Sequence, residues 1–358
     1  MSRRLARTFA ALCALAVGVS LLGGCRLRLE TAPASEPVPD VAEMLRRTAV
    51  YDALEVTEAA QSALGRYVQR APMVAELEQI IAFSAAHVEA LGGVYVSGVE
   101  PEPDLLAPGA EPYPTPAMAT ATDVIGALND AASRNRTAAN NAADAGMARL
   151  LTSISASQEL SATRLAALAR LELPHRPPVQ IPEPLPTEAP VEEEDLAAAQ
   201  AAATAEEADE VDPVPGGLSP GDFVPLVISE DSIRWALEVL AASMPVEERA
   251  DVLRQADHHG RRAAAWARLG GLAGTPGDPR ALAYQVPRYL EADELVLVGA
   301  STMIENYTTL VSRSEPGSRL LFIDLLSEAV HTADGLGHPP HPFPGMPELA
   351  DGLPAEAP

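Results

Sequence analysis

Long windows that are rich in Ala and free of Gly and Pro recur in two stretches of this chain, 40–171 and 225–335. Apolar residues in both stretches return with the spacing of a helix face, whereas alternating β-branched runs are scarce. Only 4% of the residues are aromatic. These features predict an all-α fold. The two stretches are called the first block and the second block below.

The residues between and after the two blocks have a different composition. Residues 172–224 are rich in Pro, Glu and Ala and have little apolar content to bury, which predicts an extended linker. Residues 336–358 form a Pro-rich tail that cannot be a regular helix. We therefore expect two helical domains, joined by the linker and followed by the tail.

Several landmarks of the first block return in the second block at a constant offset of 171 residues, which then slips to 170. Such self-similarity predicts an internal duplication, and coincidence between Ala-rich and Leu-rich helices is the alternative. The matched pairs are Tyr113 and Tyr284, Pro116 and Pro287, Asp123 and Glu294, Gly146 and Gly317, and Arg149 and Arg319.

The second block shows its helices most clearly. Its periodicity and turn residues predict helices near 226–243, 247–269, 291–313 and 318–334. Short turns join the first pair and the second pair, and a long connection joins the two hairpins. This order predicts a four-helix bundle of ferritin-like connectivity, and the repeat predicts two such bundles in tandem.

The N-terminus has the pattern of an export signal. Arg3, Arg4 and Arg7 precede an apolar run, 9–22, that is too short for an ordinary membrane-spanning helix. The run ends Leu-Gly-Gly-Cys25, which resembles the lipobox of bacterial lipoproteins. We expect a signal peptide over 1–24, lipid on Cys25 and a tether over 25–39. The alternative is a secreted protein with a chance Cys at this position.

Charge and composition restrict the partners. The chain carries 25 basic and 50 acidic residues, and every basic residue is Arg. Loss of the three signal arginines takes the formal charge from −25 to −28. So acidic a protein repels nucleic acid, and the absence of Lys excludes Schiff-base and P-loop chemistry. The expected partners are the bilayer, through acylated Cys25, and an unidentified envelope protein or cell-wall component.

Four features together resemble a known family: the lipobox, the Ala-rich hairpins, the phrase Ala-Tyr-Gln-Val-Pro at 283–287, and Pro-Phe-Pro-Gly at 342–345. They are similar to the actinobacterial ferritin-like domain of unknown function. The resemblance is best over 225–346, and the first block looks like a divergent second copy. It implies a bundle fold without an established reaction.

A ferritin-like fold raises the question of a di-iron site, in which Glu and Glu-x-x-His ligands face inward. The available set would be Glu230, His259, Glu305, Glu328 and His331. A helical wheel places the last three on polar stripes, and the apolar stripes of their helices present Ala300 and Ala329 instead. We therefore expect these three side chains to face solvent and expect no metal.

Glu230 and His259 differ because both lie on apolar stripes. Each is at a similar distance from the turn that joins their helices, so the two can touch across the hairpin. We expect a buried polar pair with a structural role, with Tyr307 as a further partner, because buried polar groups need partners. His87 of the first block borders an apolar face and is expected at the edge of the core.

These observations favour a non-enzymatic lipoprotein on the outer face of the cell membrane, in which helical bundles bind a partner. Two alternatives stay open. One is a ferritin-like di-iron oxidase or iron-handling protein, the only alternative that needs a cofactor. The other is a carrier of a small apolar ligand held between bundle helices.

Overall fold

The computed structural model describes residues 38–97, 118–174, 177–183, 214–285 and 289–352. Over these residues the protein has eight α-helices and no strand, which confirms the all-α class. The helices are α1 (Val41–Tyr67), α2 (Ala71–Ala90), α3 (Ala121–Asn141), α4 (Ala145–Ala169), α5 (Pro220–Ser243), α6 (Arg249–Leu269), α7 (Ala292–Arg313) and α8 (Leu320–Gly335). A 3₁₀ turn, Pro347–Gly352, follows.

Several expectations concern residues outside these ranges. The signal peptide, Cys25, the central part of the linker, and the repeat landmarks Tyr113, Pro116 and Pro287 are among them. All eight helices belong to one compact unit. Val38 and 96–97 belong to a second unit, which otherwise lies outside the described ranges.

Helix α5 begins earlier than the sequence pattern predicts. Its first residue is Pro220, and Pro225 lies inside the helix rather than at its start. Ser219 and Asp222 form a capping box in which the Asp222 carboxylate accepts a hydrogen bond from the Ser219 backbone N–H at 2.9 Å. Pro220 stands at the first helical position, where its missing N–H costs nothing. The helix therefore begins at its capping box, before the residues that show the apolar periodicity.

Helices α3 and α7 begin in the same way, at positions 171 residues apart. Thr120 and Asp123 form a capping box at the start of α3, and Glu291 and Glu294 form one at the start of α7. The common cap explains why an acid recurs at this place in the sequence. The duplication itself stays a prediction.

Within the first block, α1 packs on α2 and α3, and α4 packs on α2 and α3. Within the second block, α5 packs on α6 and α7, and α7 packs on α8. Helix α6 runs closely along α5. Near its C-terminal end Trp266 packs on Tyr307 of α7 and Phe322 of α8, and before that point a cleft separates α6 from these two helices. The second block is therefore open along one side.

The two blocks also pack on each other. Helix α4 contacts α7 and α8, and one hydrophobic cluster includes Leu151 of α4 together with Val311 and Phe322 of the second block. Arg319, which is 2% exposed, donates to the backbone oxygens of Ala139 and Ala142 at the C-terminal end of α3. The blocks thus share a core, and the predicted domain boundaries are not marked by a gap in the packing.

Part of the predicted linker lies against the second block. Val179 and Ile181 are half-buried against the shared core, and the Glu183 carboxylate pairs with Arg268 of α6 at 2.7 Å. The Val179 N–H donates to Glu328 of α8 at 2.7 Å. Residues 177–183 contain no helix, as the composition predicts, but they contact both α6 and α8.

The Pro-rich tail docks across both blocks. Phe343 and Met346 are buried, and the tail carbonyls accept hydrogen bonds from side chains of α2, α4 and α7. The donors are His87 Nε2 to Pro342 O at 2.9 Å, Ser153 Oγ to Pro344 O at 2.7 Å, and Thr308 Oγ1 to Gly345 O at 3.0 Å. The tail therefore connects the first block to the second by hydrogen bonds.

His87 is deeper than the core-edge position expected from the sequence, with 1% of its surface exposed. Burial lowers the pKa of its imidazole to about 4, and the bond to the Pro342 carbonyl only partly opposes that shift. The ring is therefore neutral at pH 7. A proton added to it would place a charge in the packed interior beside Phe343, whose ring centroid is 5.4 Å away.

Acid should weaken the folded state through this histidine. In the unfolded chain the His87 imidazole takes up a proton near pH 6.5, whereas in the folded chain it does so only near pH 4. Its contribution to stability is therefore present above pH 6.5 and is lost as the pH falls toward 4. The His87 contribution to the free energy of unfolding should drop by about 2 kcal/mol between pH 7 and pH 5. Urea unfolding at both pH values measures it.

The control for this measurement is His87→Gln, which keeps a donor for Pro342 O but cannot titrate in this range. Its acid dependence should be smaller than that of the wild type. An equal slope in the two proteins would show that His87 does not take up the proton.

Candidate functional site

A pair of buried polar side chains joins α5 to α6. Glu230, which is 2% exposed, lies on the inner face of α5, and its Oε2 atom is 2.6 Å from Nδ1 of His259 on α6. The two helices run antiparallel from a short turn, which brings residues at equal distance from the turn together. The pair lies at the bottom of the cleft beside α6.

Arg262 connects this pair to the other two helices of the block. Its Nε atom donates to Glu230 Oε1 at 2.8 Å, Nη1 donates to Glu328 Oε1 at 2.8 Å, and Nη2 donates to Tyr307 OH at 3.1 Å. Arg262 was not among the residues predicted for this site, which were carboxylates, imidazoles and the phenol of Tyr307. The available signal was its position three residues after His259, on the same face of α6.

Burial and contacts within the cluster shift the pKa values of three of its members. Burial acts to raise the pKa of Glu230, but the bonds and charges of His259 and Arg262 outweigh it, so the pKa is lowered. Burial acts to lower the pKa of Arg262, but Tyr307, Glu230 and Glu328 outweigh it, so that pKa is raised. Burial raises the pKa of Tyr307. At neutral pH the cluster holds a carboxylate, a guanidinium and a neutral phenol.

Glu328 does not lie on a solvated face, contrary to the expectation from the helical wheel. One oxygen accepts from Arg262 and the other accepts from the Val179 N–H. His331 is half-buried, with Nδ1 2.8 Å from Ser327 O and Nε2 3.2 Å from Thr163 Oγ1 of α4. This stripe of α8 is polar because it faces the linker and the first block. Glu305, by contrast, is exposed on α7.

Further contacts with the first block explain why this stripe of α8 is polar. Asp324 pairs with Arg136 of α3 at 2.6 Å, and Asp334 pairs with Arg164 of α4 at 2.7 Å. Ser327, which is 4% exposed, donates to the carboxylate of Glu159. A single-helix wheel cannot distinguish such a seam from a wet surface.

The cleft above the cluster has a volume of about 700 Å³. Small residues on α7 and α8, namely Gly299, Ala300 and Ala329, leave room in it. Its walls are largely apolar, and its floor carries the Arg262 cluster. The lining also includes Ile233, Asp251, Arg254, Gln255, His258, Asp293, Val296 and Met303.

The donor set does not fit the di-iron centre that the family resemblance implies. Both oxygens of Glu230 are bonded, to His259 and Arg262, and both oxygens of Glu328 are bonded, to Arg262 and Val179. A guanidinium therefore stands between the two carboxylates, where a metal pair would need them free. Over the described ranges, no group of three or more His, Cys, Asp or Glu side chains is placed to hold a metal ion.

No family model, curated protein or solved structure matches this chain. The family resemblance therefore stays a prediction that rests on the quoted residues. Within the part of the chain that the structure describes, no helix is both long enough and apolar enough to cross a membrane.

The Glu230 carboxylate should be essential to the stability of the cluster. Glu230→Ala leaves Arg262 and His259 buried without their shared acceptor, which should lower the free energy of unfolding by about 3–5 kcal/mol. Glu305→Ala, on the exposed side of α7, should change it by less than about 0.5 kcal/mol. Urea unfolding at pH 7, followed by circular dichroism, compares them. Equal losses in the two variants would contradict the structural role of Glu230.

Proposed function

We propose that this chain is a bacterial lipoprotein, held on the outer face of the cell membrane by lipid on Cys25, that binds a small apolar ligand in the cleft between α6 and helices α7 and α8. The observation that carries the proposal is the cleft, with its apolar walls and its polar floor. Ligand pockets typically have volumes of about 300–1,000 Å³ and combine apolar walls with a few polar groups.

The proposed architecture is two tandem ferritin-like four-helix bundles. Helix contacts support a closed ring in the first block, where α1, α2, α4 and α3 pack in order. In the second block the ring is open between α6 and α8, and Arg262 reaches across the opening to Glu328. An open bundle leaves space for a ligand that a closed bundle would fill with side chains.

A second candidate function is the binding of an envelope protein or cell-wall component, as the sequence suggests. Val41, Met44 and Tyr51 favour it, because all three are exposed on α1 at 68%, 48% and 71% of their surface. Their spacing places them along one side of the helix. Exposed apolar residues in such a row are typical of interaction surfaces.

Cys25→Ser should release the protein from the membrane fraction or leave it as an uncleaved precursor. The Ser hydroxyl cannot accept the thioether-linked lipid, and the several acyl chains of such an anchor contribute about 0.8 kcal/mol per buried CH₂. Fractionation and mass measurement of the two proteins test this. If C25S stayed on the membrane at its mature mass, the lipoprotein assignment would be wrong.

Filling the cleft should remove its ligand. Ala300→Leu places a larger side chain into the space, whereas Ala250→Leu adds the same atoms at an exposed position of α6. Organic extraction and mass spectrometry of the purified proteins should find a bound small molecule in the wild type and in A250L, and a several-fold lower amount in A300L. Equal amounts in all three proteins would place the ligand elsewhere.

A further inference from the structure

The cleft lining has a charge imbalance that bears on the ligand. Four acidic side chains line it, Glu230, Asp251, Asp293 and Glu328, against the two arginines 254 and 262 and the histidines 258, 259 and 331, of which His259 is bonded to Glu230. Arg254 is paired with Asp251, and Arg262 is shared by Glu230 and Glu328. The arginines are thus already engaged with carboxylates of the same lining. An anionic ligand would meet a surplus of negative charge in a protein that is itself strongly acidic.

We propose, on the basis of the binding function above, that the ligand of this cleft is an organic cation: a protonated amine on an apolar body. Because the cleft lining carries a surplus of negative charge, it favours a cationic ligand over an anionic one. The partial burial that lowers the pKa of His258 keeps this imidazole from restoring the balance at neutral pH. Asp293, near the start of α7, is the lining acid best placed to receive the amine, because it is exposed toward the opening.

An acceptor inside the cleft supports the same ligand class. The Oε1 atom of Gln255 is buried and has no hydrogen-bond partner among the described residues. A buried acceptor without a donor is unfavourable, and most such groups are paired in folded proteins. Rotation of the Gln255 amide toward the cleft would let an ammonium N–H satisfy it, whereas a carboxylate or phosphate ligand brings only more acceptors.

The apolar walls exclude a simple hydrated metal ion as the natural occupant. Ile233, Val296 and Met303 face the same space as the acids. Covering the apolar surface that these walls still expose contributes about 25 cal/mol for each Å² removed from water, and a ligand with a hydrocarbon part can supply this. The cleft therefore matches a molecule with one charged end and one apolar end.

Three probes that share one alkyl chain separate charge from apolar content: octylammonium chloride, sodium octanoate and 1-octanol. The protein is the full mature chain with Cys25→Ser, so that no detergent competes for the cleft. Titration calorimetry and thermal unfolding should show octylammonium binding at least tenfold tighter than octanoate, with octanol between them, and a higher melting temperature only with the tighter ligands.

Two variants assign the selectivity to the cleft. Asp293→Asn and Gln255→Leu should weaken octylammonium several-fold and leave octanol unchanged. Asp257→Asn on the exposed side of α6, where Asp257 pairs with Arg261, should change neither and serves as the control.

Each outcome decides a separate point. Equal binding of all three probes would overturn the cation assignment and leave the cleft as an apolar ligand site. Tighter binding of octanoate would reverse the sign of the inference. If no probe bound and A300L had the same organic content as the wild type, the cleft would not be the binding site, and both proposals would fall.

Discussion

A buried guanidinium connects all four helices of the second block beside its cleft. Arg262 extends from α6 to acceptors on α5, α7 and α8. Taking such a cation out of water is costly, and the cost is offset only while all its acceptors stay in place. Arg262 spans the cleft to Glu328, whereas nearby Trp266 joins the same helices through apolar packing on Tyr307 and Phe322. Arg262 thus contributes to the stability of this block and also lines its cleft.

In the interface between the two blocks, charged side chains are likewise paired with opposite charges. Its centre is apolar, and its margins carry the Arg136–Asp324 and Arg164–Asp334 ion pairs, each between an arginine of the first block and an acid of α8. The tail closes one end through backbone carbonyls, which need donors from both blocks. A polar stripe on one helix is therefore satisfied by the opposite charge on another, and not by water.

Local physics was sufficient to predict the helices and one contact of the site. Apolar periodicity and turn residues place the helices of the second block within about two residues at most ends, apart from the start of α5. Counting from the turn was sufficient to bring Glu230 near His259. The role of Arg262, the burial of Thr308 and the contacts of Glu328 were not predictable in this way, because each depends on a partner more than 30 residues away in the chain. A helical wheel has no information about such partners.

The cluster also bears on the relation between fold and activity. In the ferritin-like plan that the family resemblance implies, inward carboxylates face a pair of metal ions. Two inward carboxylates need positive charge between them whether it comes from a metal or from a side chain, and here Arg262 supplies it to Glu230 and Glu328. A cation that is part of the chain cannot exchange or change its oxidation state. The two carboxylates thus serve as acceptors for Arg262, and in the proposed function the ligand is recognised by the remaining acids of the cleft, by Gln255 and by the apolar walls.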